Sequence, residues 1–229
     1  MNSALKKDID SFQNTYYNFE ISENEKYVIL SGIITVFDIN NTPWENYGIK
    51  IFVPTNNYPH VTPLVVETTK NIDRNWDFHI SDEGLCCLAI PHKLILIKRS
   101  GINLINFYQK FIYPFFANHQ FKLKTGKYAN GEFDHQEKGI LQFYKEELEI
   151  DNLLHVEKII QVGIGKLKVG NNDKCPICKK NKFKKCCKSK VLKIEKYGIK
   201  QLEKDLDMVK SEISQFNNTE PTSLDLTGN

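Results

Sequence analysis

Residues 27–37 read YVILSGIITVF, a run dominated by β-branched and aromatic side chains. That composition fits a strand on a pleated, half-buried surface. Working outward, DINNTPWENYG (38–48) supplies a turn. Ile49–Val53 reads as the next strand, closed by Pro54, and after TNNYPHVTP comes a further strand in LVVETT, 64–69. Upstream, Phe19 and Ile21 alternate with polar neighbours. Before them Leu5, Ile9, Phe12 and Tyr16 recur at spacings of four, three and four, which lines one face of a helix over 1–17. One helix is thus followed by about four strands on short connections. Short connections favour an antiparallel meander, because a parallel crossover needs a dozen or more residues. The expected class is α+β: an N-terminal helix, a four-stranded antiparallel meander, an irregular loop and then helices.

Residues 70–100 resist a regular assignment. Residues 101–121 are helix-like and apolar on most sides, with Pro114 expected to kink or end the helix. TGKYANGEFDH (125–135) reads as loop and 136–166 as two helices. The length of 229 residues fits one domain of about 150 residues plus an appendage. The expected division is a first domain over 1–150, a helical linker over 151–169, a cysteine motif over 170–190, an amphipathic helix over 191–216 and a disordered tail over 217–229. In that helix Ile199, Leu202, Leu206, Val209, Ile213 and Phe216 form a heptad-like stripe, which either packs on its own domain or pairs with a partner chain, a dimer included.

No apolar run nears the roughly 18 residues of a membrane helix, and the N-terminus has no apolar signal-peptide core. No membrane association is expected and the expected compartment is the cytoplasm. The six cysteines should then be thiols serving a metal or catalysis. The net charge of +3 hides an asymmetry: residues 166–200 carry thirteen lysines against Asp173 and Glu195, a segment charge of +11 that leaves the rest of the chain at −8. Four metal-bound thiolates would reduce that segment to about +9. Such a patch suits nucleic acid or an acidic protein face as partner, or is simply a solvated surface.

The first candidate site is Cys86-Cys87, between the turn Ser81–Gly84 and Leu88-Ala89-Ile90-Pro91. In extended chain successive side chains point opposite ways, so only one of the two sulfurs can face a groove. The surrounding residues resemble the ubiquitin-conjugating enzyme family. That resemblance rests on Tyr58-Pro59-His60-Val61-Thr62-Pro63, Asp77-Phe78-His79-Ile80 and Gly84-Leu85-Cys86-Cys87-Leu88, with Gly48–Pro54 looking like the family's third strand, and it covers about residues 1–120. It implies that Cys87 is the catalytic cysteine and Cys86 a buried core residue. His79 stands where the family has Asn, eight residues before the cysteine, and Phe78 replaces a Pro. In this the chain looks like divergent bacterial members, as it does in Gly131-Glu132-Phe133-Asp134-His135.

The resemblance implies a carrier that takes a protein C-terminal acyl group as a thioester and passes it to an amine. His79 would be oxyanion donor or proton carrier, and His135 a further candidate. Asp82 and Glu83 would orient the incoming amine or take its proton, or are simply a surface turn. It also implies an antiphage setting, with a ubiquitin-like protein or a nucleotidyltransferase of the cGAS/DncV type as acyl donor. No phosphate-cradling Gly-rich loop is present, so no nucleotide is expected on this chain and adenylation falls to a separate activating enzyme. Two other readings stand beside this one: a catalytically inactive binding module of the same fold, and a Cys–His hydrolase using Cys87 with His79 or His135.

The second candidate site is Cys175, Cys178, Cys186 and Cys187. A Cys-x-x-Cys turn and a Cys pair returning after seven residues present four thiolates to one tetrahedral, structural Zn²⁺. The stretch resembles the SEC-C zinc motif. Here the second Cys lies one residue later than usual and the motif's glycines are absent.

Overall fold

A computed structural model of the chain describes residues 2–129 and 136–219. The chain divides into two compact units, Met1–Glu132 and Phe133–Asn229, so the first unit closes well before residue 150.

The first unit is α+β. Helix α1 (Ser3–Thr15) starts where the Asn2 side chain accepts the Leu5 N–H at 2.8 Å, and it buries Leu5, Ile9 and Phe12 as the spacing predicts. Strands β1 (Glu20–Glu23), β2 (Tyr27–Phe37), β3 (Pro43–Pro54) and β4 (Leu64–Glu67) form one antiparallel sheet in sequence order. Val28, Leu30, Ile34 and Val36 alternate inward on β2, matched by Tyr47, Ile49, Ile51 and Val53 on β3. Gly32 holds the one inward place without a side chain because the Phe19 ring fills it: a Cβ there would lie 2.7 Å from that ring. Phe12 packs against Phe19, Tyr16 and Tyr108 at ring separations of 5.3, 4.8 and 5.6 Å.

Two expectations are corrected. The turn after β2 is shorter than 38–48, because β3 already begins at Pro43. One side chain accounts for this: Asp38 Oδ1 accepts the N–H groups of Asn40 and Thr42, both at 2.8 Å, which reverses the chain within five residues, 38–42. Pro114 does not end its helix either. Helix α2 (Pro91–Ser100), hidden in the sequence, is followed by α3 (Leu104–Phe107), a π turn (Tyr108–Ile112) and α4 (Tyr113–Thr125). Pro114 follows directly on the π turn, whose wider hydrogen-bond register carries the helix past a residue with no N–H to donate.

The second unit is helical: α5 (Gln136–Leu148), α6 (Leu153–Gly163), α7 (Lys188–Glu195) and α8 (Ile199–Thr219). The single helix expected over 191–216 is two, broken at Gly198 with φ 85°. Helix α8 also runs through 217–219, and 220–229 lie outside the described residues. Leu202, Leu206 and Val209 of the heptad-like stripe are buried within this unit. Inside it, the buried Tyr144 hydroxyl donates to Asp205 Oδ2 at 2.6 Å. Among the described residues no helix is long and apolar enough to cross a membrane.

Phe12→Ala should lower stability by about 3–5 kcal/mol, and Tyr17→Ala, at a residue 88% exposed, should change it by under about 0.5 kcal/mol. Urea denaturation midpoints of the two variants check the assignment of the core.

Candidate functional site

The cysteine pair sits on a small hairpin. A 3-10 turn (Trp76–Phe78) is capped by the Asn75 side chain and ends at His79, in the left-handed region with φ 55°. Ile80 then bridges Cys86 and Leu85 bridges Val66, so the hairpin extends the sheet past β4. Its tip is Ser81–Gly84, closed by Gly84 N–H donating to Ser81 O at 2.9 Å and Ser81 N–H to Leu85 O at 3.0 Å. Gly84 is required there: its φ is 84°, and a Cβ would lie 2.4 Å from Glu67 O and 3.0 Å from the Arg74 guanidinium.

The hairpin splits the cysteines as strand alternation demands. Cys86 is buried, its thiol toward Gly84 O at 3.7 Å, and burial pushes that thiol up to about 12. Cys87 is exposed as a residue, yet its surroundings withhold enough solvent from the sulfur to raise its pKa above the ordinary thiol value. The Cys87 N–H donates to His79 O at 2.8 Å, so positions 79 and 87 are joined directly through the backbone. Asp82 and Glu83 are exposed at the tip. The Ser81 hydroxyl donates to Glu83 at 2.8 Å and holds its carboxyl below the usual range, whereas the Asp82 side chain makes no hydrogen bond among the described residues. His135 lies outside the described residues.

Two supports of this hairpin were missed in the sequence. The first is Glu67, fully buried at the end of β4, paired with Arg74 at 2.6 Å. Its carboxylate also accepts the Thr69 hydroxyl and the N–H groups of Thr69 (2.8 Å) and Lys70 (3.1 Å). Its backbone N–H donates to Gly84 O at 2.8 Å, and its carbonyl accepts Arg74 Nη2 at 2.9 Å. The available signal was a carboxylate two residues after Val65, on the inward phase of LVVE. The second support is α4. His119 packs edge-on against Phe78 at 5.1 Å, and Asp77 O accepts both Lys122 Nζ (2.8 Å) and the Tyr128 hydroxyl (3.0 Å). His119 is itself buried with Tyr47: Tyr47 Oη lies 2.7 Å from His119 Nδ1 and accepts Gln120 Nε2 at 2.6 Å. Burial lowers the His119 pKa and raises that of Tyr47 to about 12. The Tyr128 ring lies 5.7 Å from that of His79.

In the second unit the four sulfurs of Cys175, Cys178, Cys186 and Cys187 lie within 4.8 Å of one another. A tetrahedral ion with Zn–S bonds of about 2.3 Å holds its sulfurs about 3.8 Å apart, so the set fits zinc after a small contraction. Among the described residues it is the one cluster of three or more His, Cys, Asp or Glu that suits an ion. The backbone builds it in two halves. Cys175 N–H donates to Asn181 O at 2.8 Å, and the turn to Cys178 closes with Lys179 N–H on Cys175 O at 3.1 Å, Lys179 being left-handed at φ 54°. Cys186 follows a 3-10 turn (Phe183–Lys185), and Cys187 caps α7. The Lys180 backbone N–H draws the Cys178 thiol down to about 7, while burial raises Cys186 and Cys187. Coordination deprotonates all four.

Purified protein should hold about one Zn²⁺ per chain. Cys178→Ser should lose it to a chelator and lower the thermal stability of the second unit, and a full equivalent of tightly bound zinc in that variant would remove the site. On the zinc-loaded protein, iodoacetamide should label Cys87 and spare Cys86, with labelling located by mass spectrometry. Because the Cys87 pKa is raised, its thiolate fraction is small at neutral pH, and the labelling rate should climb about tenfold per pH unit from 7 to 8.5. A plateau in that range would contradict the raised pKa.

No family model, curated protein or solved structure matches the chain.

Proposed function

We propose that the first unit is a thioester-forming acyl carrier of the ubiquitin-conjugating type, with Cys87 as its acceptor sulfur. The observation that carries this reading is the partition of the adjacent cysteines, Cys87 exposed and Cys86 buried, on a hairpin braced by the Glu67–Arg74 pair. An N-terminal helix ahead of a four-stranded antiparallel meander is the order that the resemblance implies.

In the first step the Cys87 thiolate attacks the acyl carbonyl of a donor thioester. The new S–C bond forms, the donor C–S bond breaks, and the donor thiolate leaves. In the second step an amine attacks the carbonyl, N–C forms, S–C breaks, and the Cys87 thiolate departs while a base takes the amine proton. Each step passes through an oxyanion. The reading assigns the His79 ring N–H as donor to that oxyanion, the role that the resemblance implies for position 79. Asp82, with a carboxylate unengaged by neighbours, is the assigned proton acceptor.

The raised thiol pKa favours a carrier over a Cys–His hydrolase. A hydrolase lowers its thiol with an adjacent imidazolium, whereas the cause acting on Cys87 is desolvation, which raises it. A less acidic thiol is the stronger nucleophile as thiolate and the poorer leaving group, so its thioester resists water. The reading assigns adenylation to a separate activating enzyme, and the acyl group to a ubiquitin-like protein or a cGAS/DncV-type nucleotidyltransferase in a bacterial antiphage setting.

Incubation with an adenylating enzyme, ATP and candidate modifiers, followed by a non-reducing gel, should give a thiol-sensitive adduct. Cys87→Ser should give a thiol-resistant oxyester or no adduct, and full conjugation by Cys87→Ala would end the proposal. His79→Ala should slow single-turnover transfer by roughly 10²–10³; an unchanged rate would take His79 out of the mechanism.

A further inference from the structure

Six lysines lie within residues 174–185, the stretch that builds the cysteine cluster: Lys174, Lys179, Lys180, Lys182, Lys184 and Lys185. All six are exposed. None of their side chains enters a hydrogen bond or ion pair among the described residues. Other lysines of the same basic segment behave differently. Lys190 and Lys193 donate to the Leu148 and Glu147 carbonyls at the end of α5, and Lys196 pairs with the Glu147 carboxylate at 2.7 Å. These cations therefore serve the fold, and the six do not. The one acid adjoining them in sequence, Asp173, is exposed and accepts the Gly170 N–H at 2.7 Å.

We infer that this surface docks on the phosphate backbone of duplex nucleic acid. Three observations favour phosphate over an acidic protein face. First, the patch has no apolar anchor: Cys175, Ile177, Phe183 and Cys187 are buried, and no large hydrophobic side chain is exposed between Gly165 and Lys190. Protein interfaces are built around such anchors and are depleted in lysine, whereas phosphate contacts need neither. Second, six cations lie along a short backbone tied by the Lys174–Lys182 bridge, with Asp173 the one acid beside them, which suits the uniform charge density of a duplex. Third, both arginines of the chain, Arg74 and Arg99, lie in the first unit. The patch thus lacks the side chain most used to read guanine edges, and its lysines supply point charges, so binding should be independent of sequence. With no exposed aromatic ring in the patch for bases to stack on, a duplex is preferred to a single strand.

The test is fluorescence anisotropy of the full-length, zinc-loaded protein with labelled duplexes of unrelated sequence at about 50 mM salt. Poly-glutamate of matched charge serves as competitor, and zinc content is measured on every variant. Binding should be equal across sequences, with a slope of about −4 to −5 in log affinity against log salt. Reversing three charges (Lys180→Glu, Lys182→Glu, Lys184→Glu) should flatten that slope by about 3 and weaken binding at least tenfold with zinc retained. If the reversed variant loses zinc, the Lys→Gln triple replaces it and should weaken binding in the same sense. Absence of duplex binding, affinity unchanged in a zinc-retaining variant, or competition by poly-glutamate as strong as by unlabelled duplex would overturn the inference, the last result pointing to an acidic protein.

Discussion

A carboxylate buried at the end of β4 sets the geometry on which the cysteine hairpin depends. An isolated buried charge costs several kcal/mol, so Glu67 is stable only with its whole set of partners in place. Those partners are Arg74, the Thr69 hydroxyl and backbone N–H groups of the loop that follows β4. Satisfying the charge folds 68–74 back onto the strand end. The backbone of Glu67 then pairs on one side with Gly84 and on the other with Arg74. Sheet, loop and hairpin thereby meet at one residue. Gly84 is fixed by the same crowding, since any side chain there would strike the Glu67 carbonyl.

From that constraint the difference between two identical residues follows. With Gly84 pinned, strand alternation turns Cys86 in and Cys87 out. The inner thiol is shielded and very weakly acidic, a packing residue. The outer one reaches solvent but stays partly desolvated, and its backbone N–H is held by His79. The second unit uses its cysteines in the opposite way. There four sulfurs converge, two of them again adjacent in sequence, because Cys186 closes a 3-10 turn while Cys187 opens α7. The change of helix type between them lets neighbouring side chains point to a common centre.

Much of this was legible in the chain. Periodicity located α1, β1, β2 and β4, and short connections implied the antiparallel order. Cysteine spacing located the metal cluster. What escaped has a common cause. The start of β3 depends on the Asp38 side chain closing a turn, and the continuation through Pro114 depends on a π turn; neither leaves a periodic trace. Helix α2 lies in LILI, an apolar run with no alternation to reveal its form. The break before α8 was signalled by Gly198, directly ahead of the first residue of the stripe, Ile199.

By itself, the sequence determined the helix-then-meander order of the first unit and which thiols cluster, because those follow from local propensity and from spacing along the chain. Only the tertiary structure decided that Glu67 and Arg74 meet in the interior, that His79 O holds the Cys87 N–H, and that three lysines brace α5 while six face solvent. These are matters of burial and of contacts between residues distant in the chain. The free energy of a charge or a thiol depends on what surrounds it in space, which no local pattern records.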